Sequence, residues 1–95
     1  MKEIKMNEIQ IKIKNLISKN INMIDFKIID ESHKHANHQK DTNGGHFKLF
    51  IISDDFENMT LIKRHKLIYD CLDSIMKKDI HAISMKLVTN QEFNN

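Results

Sequence analysis

Six histidines stand in this 95-residue chain, at positions 33, 35, 38, 46, 65 and 81, and four of them fall between 33 and 46. Imidazole is a borderline-soft ligand suited to zinc, copper and iron. His33 and His35 are two residues apart, so in an extended segment both rings project to one side. The ligand set is incomplete as it stands. A closed zinc site needs four ligands, and the chain has one cysteine, Cys71, and no second element with paired Cys or His. One or two histidines of the 31–45 stretch plus His81 give two or three ligands at most, an incomplete set that suggests a partner supplies the others. The same spacing also suits a solvated polar loop whose histidines do nothing, and spacing alone leaves both readings open.

The rest of the chain must position these residues. Met6, Ile9, Ile13, Leu16 and Ile17 recur at helical spacing and predict an amphipathic helix within 2–19. Ile24, Phe26 and Ile28 alternate with Asp25 and Lys27, predicting a strand over 24–29 that ends near Asp30. The stretch 31–45, ESHKHANHQKDTNGG, has no periodicity and no aliphatic anchor beyond Ala36. It is expected to be a long flexible loop, of a length that is usually functional or disordered. A second strand over 46–53 puts Phe47, Leu49 and Ile51 on one face and Phe50 and Ile52, with Lys48, on the other, which makes it central. Thr60 suits the N-cap of a long helix through about Lys78, with Leu61, Ile62, His65, Ile68, Tyr69, Leu72, Ile75 and Met76 as its apolar stripe. A third strand over 81–88 alternates Ile83, Met85 and Leu87 with Ser84 and Lys86, and Thr89 with Glu92 predicts a capping box for a final helical turn.

The order α-β-β-α-β predicts an α+β fold, a two-layer sandwich with a three-stranded mixed sheet and one domain whose core spans about 4–89. The first two strands should form an antiparallel hairpin; the second and third, joined through a helix, should run parallel. That topology sorts the histidines. His33, His35, His38, His46 and His81 share one rim of the sheet, whereas His65, early on a helix antiparallel to the strands, lies at the far end, about 16 Å away along the helix axis. His65 reads as a neutral, hydrogen-bonded histidine of the core or its edge, and Cys71 as a small packing residue.

Composition narrows the function classes. Fifteen basic against thirteen acidic residues give a net charge of +2, too weak by itself to imply nucleic acid. No apolar run approaches the roughly 20 residues of a membrane span, no signal-peptide core follows Met1, and a single cysteine points to a reducing, cytoplasmic setting. No nucleophile–base pair and no buried acidic couple is visible, so an enzyme is not expected.

Four segments together resemble the BolA family: DESHKHANH at 30–38, GGHFKLFIIS at 44–53, FENMTLIKRHKLIYDCL at 56–72 and IHAISMKL at 80–87. The resemblance covers essentially Ile24 to Val88, in the element order read above. It implies a fold like a type II K-homology domain, a monothiol CGFS-type glutaredoxin as partner, and a 2Fe–2S cluster shared with that glutaredoxin and its glutathione, with no cofactor in the isolated protein. The family's invariant histidine ligand maps onto His81, and the loop histidine matching the family's is His35; His33, His38 or His46 could stand in for the latter. The sequence departs from the family pattern at Asn58, where a glycine is usual, at Lys66, which turns the RHR motif into Arg64-His65-Lys66, and at Thr89-Asn90-Gln91-Glu92, where a proline is missing. Asn tolerates the positive φ a glycine would take.

The resemblance therefore implies a non-enzymatic iron–sulfur partner protein in cluster trafficking, assembly or iron homeostasis, a monomer or weak homodimer when alone. The alternative is a K-homology-like DNA-binding transcriptional regulator. Lys63, Arg64 and Lys66 are its candidate phosphate contacts, although the GxxG loop that clamps the backbone in K-homology domains is missing.

Overall fold

The computed structural model describes residues 6–32 and 45–95. His33, His35 and His38, and with them the expected mobility of the loop, lie outside the described residues.

Helix α1 (Glu8–Ser18) starts at a closed capping box: the Asn7 side chain accepts from the Gln10 backbone N–H, and the Gln10 side chain accepts from the Asn7 N–H. Its stripe buries Ile13 and Ile17 completely. Strand β1 (Asp25–Asp30) pairs antiparallel with β2 (Gly45–Ile52), and β2 pairs in parallel with β3 (Ile80–Val88), so the sheet order is β1-β2-β3. Helix α2 (Leu61–Cys71) lies on the crossover between the two parallel strands, and Thr60 caps it by accepting from the Lys63 N–H. A short α3 (Asn90–Asn94) follows β3 through the Thr89–Glu92 capping box. This is the expected mixed sheet with β2 at its centre.

One face of the sheet is covered. Phe47, Leu49 and Ile51 of β2 and Leu87 of β3 pack with Ile13 and Ile17 of α1, Ile68 of α2 and Phe56. Each such side chain withdrawn from water contributes about 1.5–3 kcal/mol. The alternate residues of β1, β2 and β3 face away from that core, so the molecule has two layers.

The crossover differs from the sequence reading in two ways. Helix α2 ends at Cys71 rather than near Lys78: the Leu72 N–H is shared between the Ile68 and Tyr69 carbonyls, and Asp73–Ile75 form a 3₁₀ turn. Met76 is then extended and bridges Ile80, while Lys77 takes φ 73°. A helix running to Lys78 would leave only Asp79 with which to turn into β3 at Ile80. The stripe is also rotated. Leu61 and Ile62 are 68% and 81% exposed, whereas the buried line runs Arg64, Ile68, Leu72 and Ile75. Arg64 can occupy it because its guanidinium is fully bonded where it is buried, as described below.

The turn before α2 conforms to its residues. Ser53 accepts from the Asp55 N–H at the start of a 3₁₀ turn, Asp54–Phe56, and Asn58 takes φ 64° where a glycine would be at ease.

Candidate functional site

The two histidines at the roots of the parallel strands meet. The ring centroids of His46 and His81 are 4.9 Å apart, with the planes inclined by 38°. Local register brings this about. Gly45 is opposite Ile80, but His46 is opposite Ala82, so His81 is the extra residue of a β-bulge. A bulge re-aims one side chain at the end of a ladder. Here it leaves His81 exposed beside a half-buried His46 whose Nε2 lies inside the surface.

Backbone bonds hold this rim. The His46 N–H donates to Ser32 Oγ at 3.1 Å, and the Ser32 N–H donates to Asp30 Oδ1 at 2.9 Å. The Glu31 N–H donates to the His46 carbonyl at 2.7 Å, and the Gly45 N–H to the Asp79 carbonyl at 2.9 Å. Any side chain at Gly45 would force a shift here: a Cβ would sit 2.7 Å from the Phe47 ring and 2.8 Å from Ser32 Oγ. Ser32 and Gly45 are thus fixed at the rim that carries the imidazole pair. Beside that pair, Glu31, His46, Phe47, Ala82 and Ser84 border a hollow of about 220 Å³.

Among the described residues no group of three or more His, Cys, Asp or Glu could hold a metal ion. The described donors are therefore two imidazoles, one of them exposed, which fits a share of a ligand set rather than a whole one. His65 is not among them. Its neighbour Arg64 donates from Nη1 to the Leu87 carbonyl at 3.1 Å, which places that turn of α2 at the opposite end of β3, about 20 Å from His81 at strand rise. His65 is half-buried and its side chain has no hydrogen-bond partner among the described residues, so it is an edge histidine without the bond expected of it. Cys71 is half-buried against the core, and burial pushes its thiol pKa up, consistent with packing rather than with thiolate chemistry.

The basic triad is divided. Lys63 and Lys66 are exposed, Lys66 pairing with Asp70 at 3.2 Å. Arg64 is instead 5% exposed and is withdrawn from any phosphate. Its Nε donates to the Met59 carbonyl at 3.0 Å, and its two terminal nitrogens meet both carboxylate oxygens of Glu92 at 2.6 and 3.0 Å. The Arg64 guanidinium, followed by the Thr89 N–H, holds the Glu92 carboxyl down at about 2. Arg64 therefore fastens α3 to α2. The sequence offered a sign of this: it has one arginine among fourteen lysines, and only a guanidinium makes such a fork.

The model of the family described as BolA-like protein matches residues 17–92. SufE-like protein 1, chloroplastic/mitochondrial, from Arabidopsis thaliana is 34% identical over 87 residues, covering 85% of this chain and 24% of that protein. The DNA-binding transcriptional regulator BolA of Haemophilus influenzae is 35% identical over 63 residues, 66% of this chain and 61% of its own length. The chain thus spans about a quarter of the first relative and under two thirds of the second. The solved BolA domain of SufE1 from Arabidopsis thaliana superposes with a TM-score of 0.80 at 34% identity, over 93% of this chain and 99% of that one.

Proposed function

Because the chain belongs to the BolA-like family, we propose that it is a non-enzymatic partner of a monothiol glutaredoxin, with which it shares a 2Fe–2S cluster in cluster trafficking or iron homeostasis. The observation that supports this most is the bulged, exposed His81 packed against His46 at a rim where Ser32 and Gly45 are also tied down. His81 presents the ring a partner can reach. His46 holds that ring from behind. The second ligand of this chain is assigned to the 33–44 segment, with His35 first and His33 or His38 as substitutes, and the glutaredoxin cysteine and glutathione complete the set. Imidazole ligation on one iron makes such a cluster easier to reduce than an all-thiolate one. An imidazole ligand must be neutral, so this rim releases metal on acidification.

The test is co-expression with a monothiol glutaredoxin, followed by absorption and electron-paramagnetic spectroscopy of the purified complex. A stable heterocomplex with a spectrum distinct from that of the glutaredoxin alone is expected. Failure to co-purify, or a spectrum identical to the glutaredoxin's own, refutes the proposal.

A second reading, DNA-binding regulation, is favoured by the relative from Haemophilus influenzae that bears that description. On helix α2 its contacts would reduce to Lys63 and Lys66.

A further inference from the structure

The face of the sheet turned away from the helices carries a pattern that neither reading uses. Register puts Lys27, Phe50 and Lys86 in one row across β1, β2 and β3, and Ile29, Lys48 and Ser84 in the next. These six residues line a hollow of about 340 Å³ with an apolar floor. Lys27 Nζ lies 6.0 Å from the centre of the Phe50 ring, and Phe93 of α3, 55% exposed, stands beside that ring at 5.8 Å. No carboxylate borders the hollow, and none pairs with these lysines among the described residues. Asp25 and Glu31 lie one row beyond it at either end.

We infer that this open sheet face binds single-stranded nucleic acid. Unpaired cations spaced across three strands match a phosphate backbone, and rings set between them give bases a surface to stack on, which is how sequence-tolerant single-strand sites are built. An acidic polypeptide would satisfy the lysines but would leave the paired rings unused. A duplex, with its bases turned inward, would use only the charges. The inference rests on the nucleic-acid reading of function and not on the cluster reading, and it moves the contact from helix α2 to the opposite layer.

The experiment is fluorescence anisotropy of a labelled mixed-sequence single-stranded 12-mer DNA against the full chain across a salt series. Two charge-matched variants are compared with the wild type: Lys27→Ala/Lys48→Ala/Lys86→Ala on the sheet, and Lys19→Ala/Lys63→Ala/Lys66→Ala off it, all six lysines being exposed. The sheet variant should bind at least tenfold more weakly and lose about two units of salt slope, at roughly 0.7 per phosphate contact on a single strand. The off-sheet variant should change far less, and Phe93→Ala, which alters no charge, should weaken binding severalfold. Equal losses in both triple variants, or a loss confined to the off-sheet one, overturn the sheet site while nucleic-acid binding itself stands. Poly-glutamate competing as well as an unlabelled single strand also overturns it. No binding at low salt removes both the site and the regulator reading.

Discussion

Arg64 and Glu92 form a two-pronged ion pair, at 2.6 and 3.0 Å, that ties the first turn of α2 to the last helix of the chain. The guanidinium is buried while the carboxylate keeps one side to solvent, so the contact works as a clasp closed from outside. It stabilises only while Glu92 is ionised.

That condition fixes a pH dependence. The Glu92 carboxyl is held at about 2 in the folded chain, below its ordinary 4.5. A depressed carboxylate contributes stability above its unfolded value and loses it as pH falls through the folded one. The gap in thermal midpoint between wild type and Glu92→Gln should therefore be full at neutral pH and close between about 4.5 and 2. An equal gap at both ends of that window would contradict the clasp. Arg64→Ala, which also leaves the Met59 and Leu87 carbonyls short of a donor, should cost on the order of 2 kcal/mol.

The histidines should separate by role. If the proposed glutaredoxin complex forms, His81→Ala should abolish its mixed-ligand visible circular dichroism, because His81 stands at a strand root with its ring against His46. His35→Ala should weaken or alter the spectrum, with His33 and His38 near enough to substitute. His65→Ala should lower stability by about 1 kcal/mol and leave the spectrum of the folded protein unchanged. A wild-type spectrum from His81→Ala and a lost one from His65→Ala would reverse the assignment.

Gly45→Ala tests the rim without touching an imidazole. The added methyl would press on the Phe47 ring and on Ser32 Oγ, which accepts from the His46 N–H. A loss of ~1–3 kcal/mol in urea unfolding is expected, as for overpacked sites. The proposed glutaredoxin complex should also load less cluster. Unchanged stability would show that the strand shifts freely there.

Asn58 carries positive φ at the turn before α2. Asn58→Gly should be neutral or slightly stabilising, whereas Asn58→Val should cost about 1–2 kcal/mol. A chemical-denaturation midpoint decides this, and equal midpoints for both variants would mean the turn relaxes out of the left-handed region.

The strands were legible because alternation is strict where one face is buried, as at Phe47, Leu49 and Ile51. Parallel pairing alone was enough to bring His46 and His81 to one rim. The bulge that turns their rings together was not readable, since no residue type demands it. Helix α2 was misphased for an opposite reason. Leu61 and Ile62 are apolar yet exposed, and Arg64 is charged yet buried, so a count of hydrophobic residues points the stripe the wrong way. Its overlong end has a similar source: Ile75 and Met76 continue the apolar spacing, and nothing in a lysine announces that residue 77 will turn left-handed. The lysines of the open sheet face were visible as the outward positions of each strand, but their alignment needed the register between strands.

The bulge at His81 also bears on the order in which the molecule can assemble. The hairpin of β1 and β2 forms from neighbouring segments, but His81 reaches His46 only after the whole crossover has folded back and β3 has docked in parallel. Non-local pairings of this kind close late, because the entropy of the intervening loop is lost before any contact repays it. A chain cut short before β3, or one with β3 frayed, would keep His46 and lack its neighbour. Anything gripped by His81 together with a residue on the hairpin side would bind the finished fold and not its precursors, and would raise its resistance to unfolding in step with concentration.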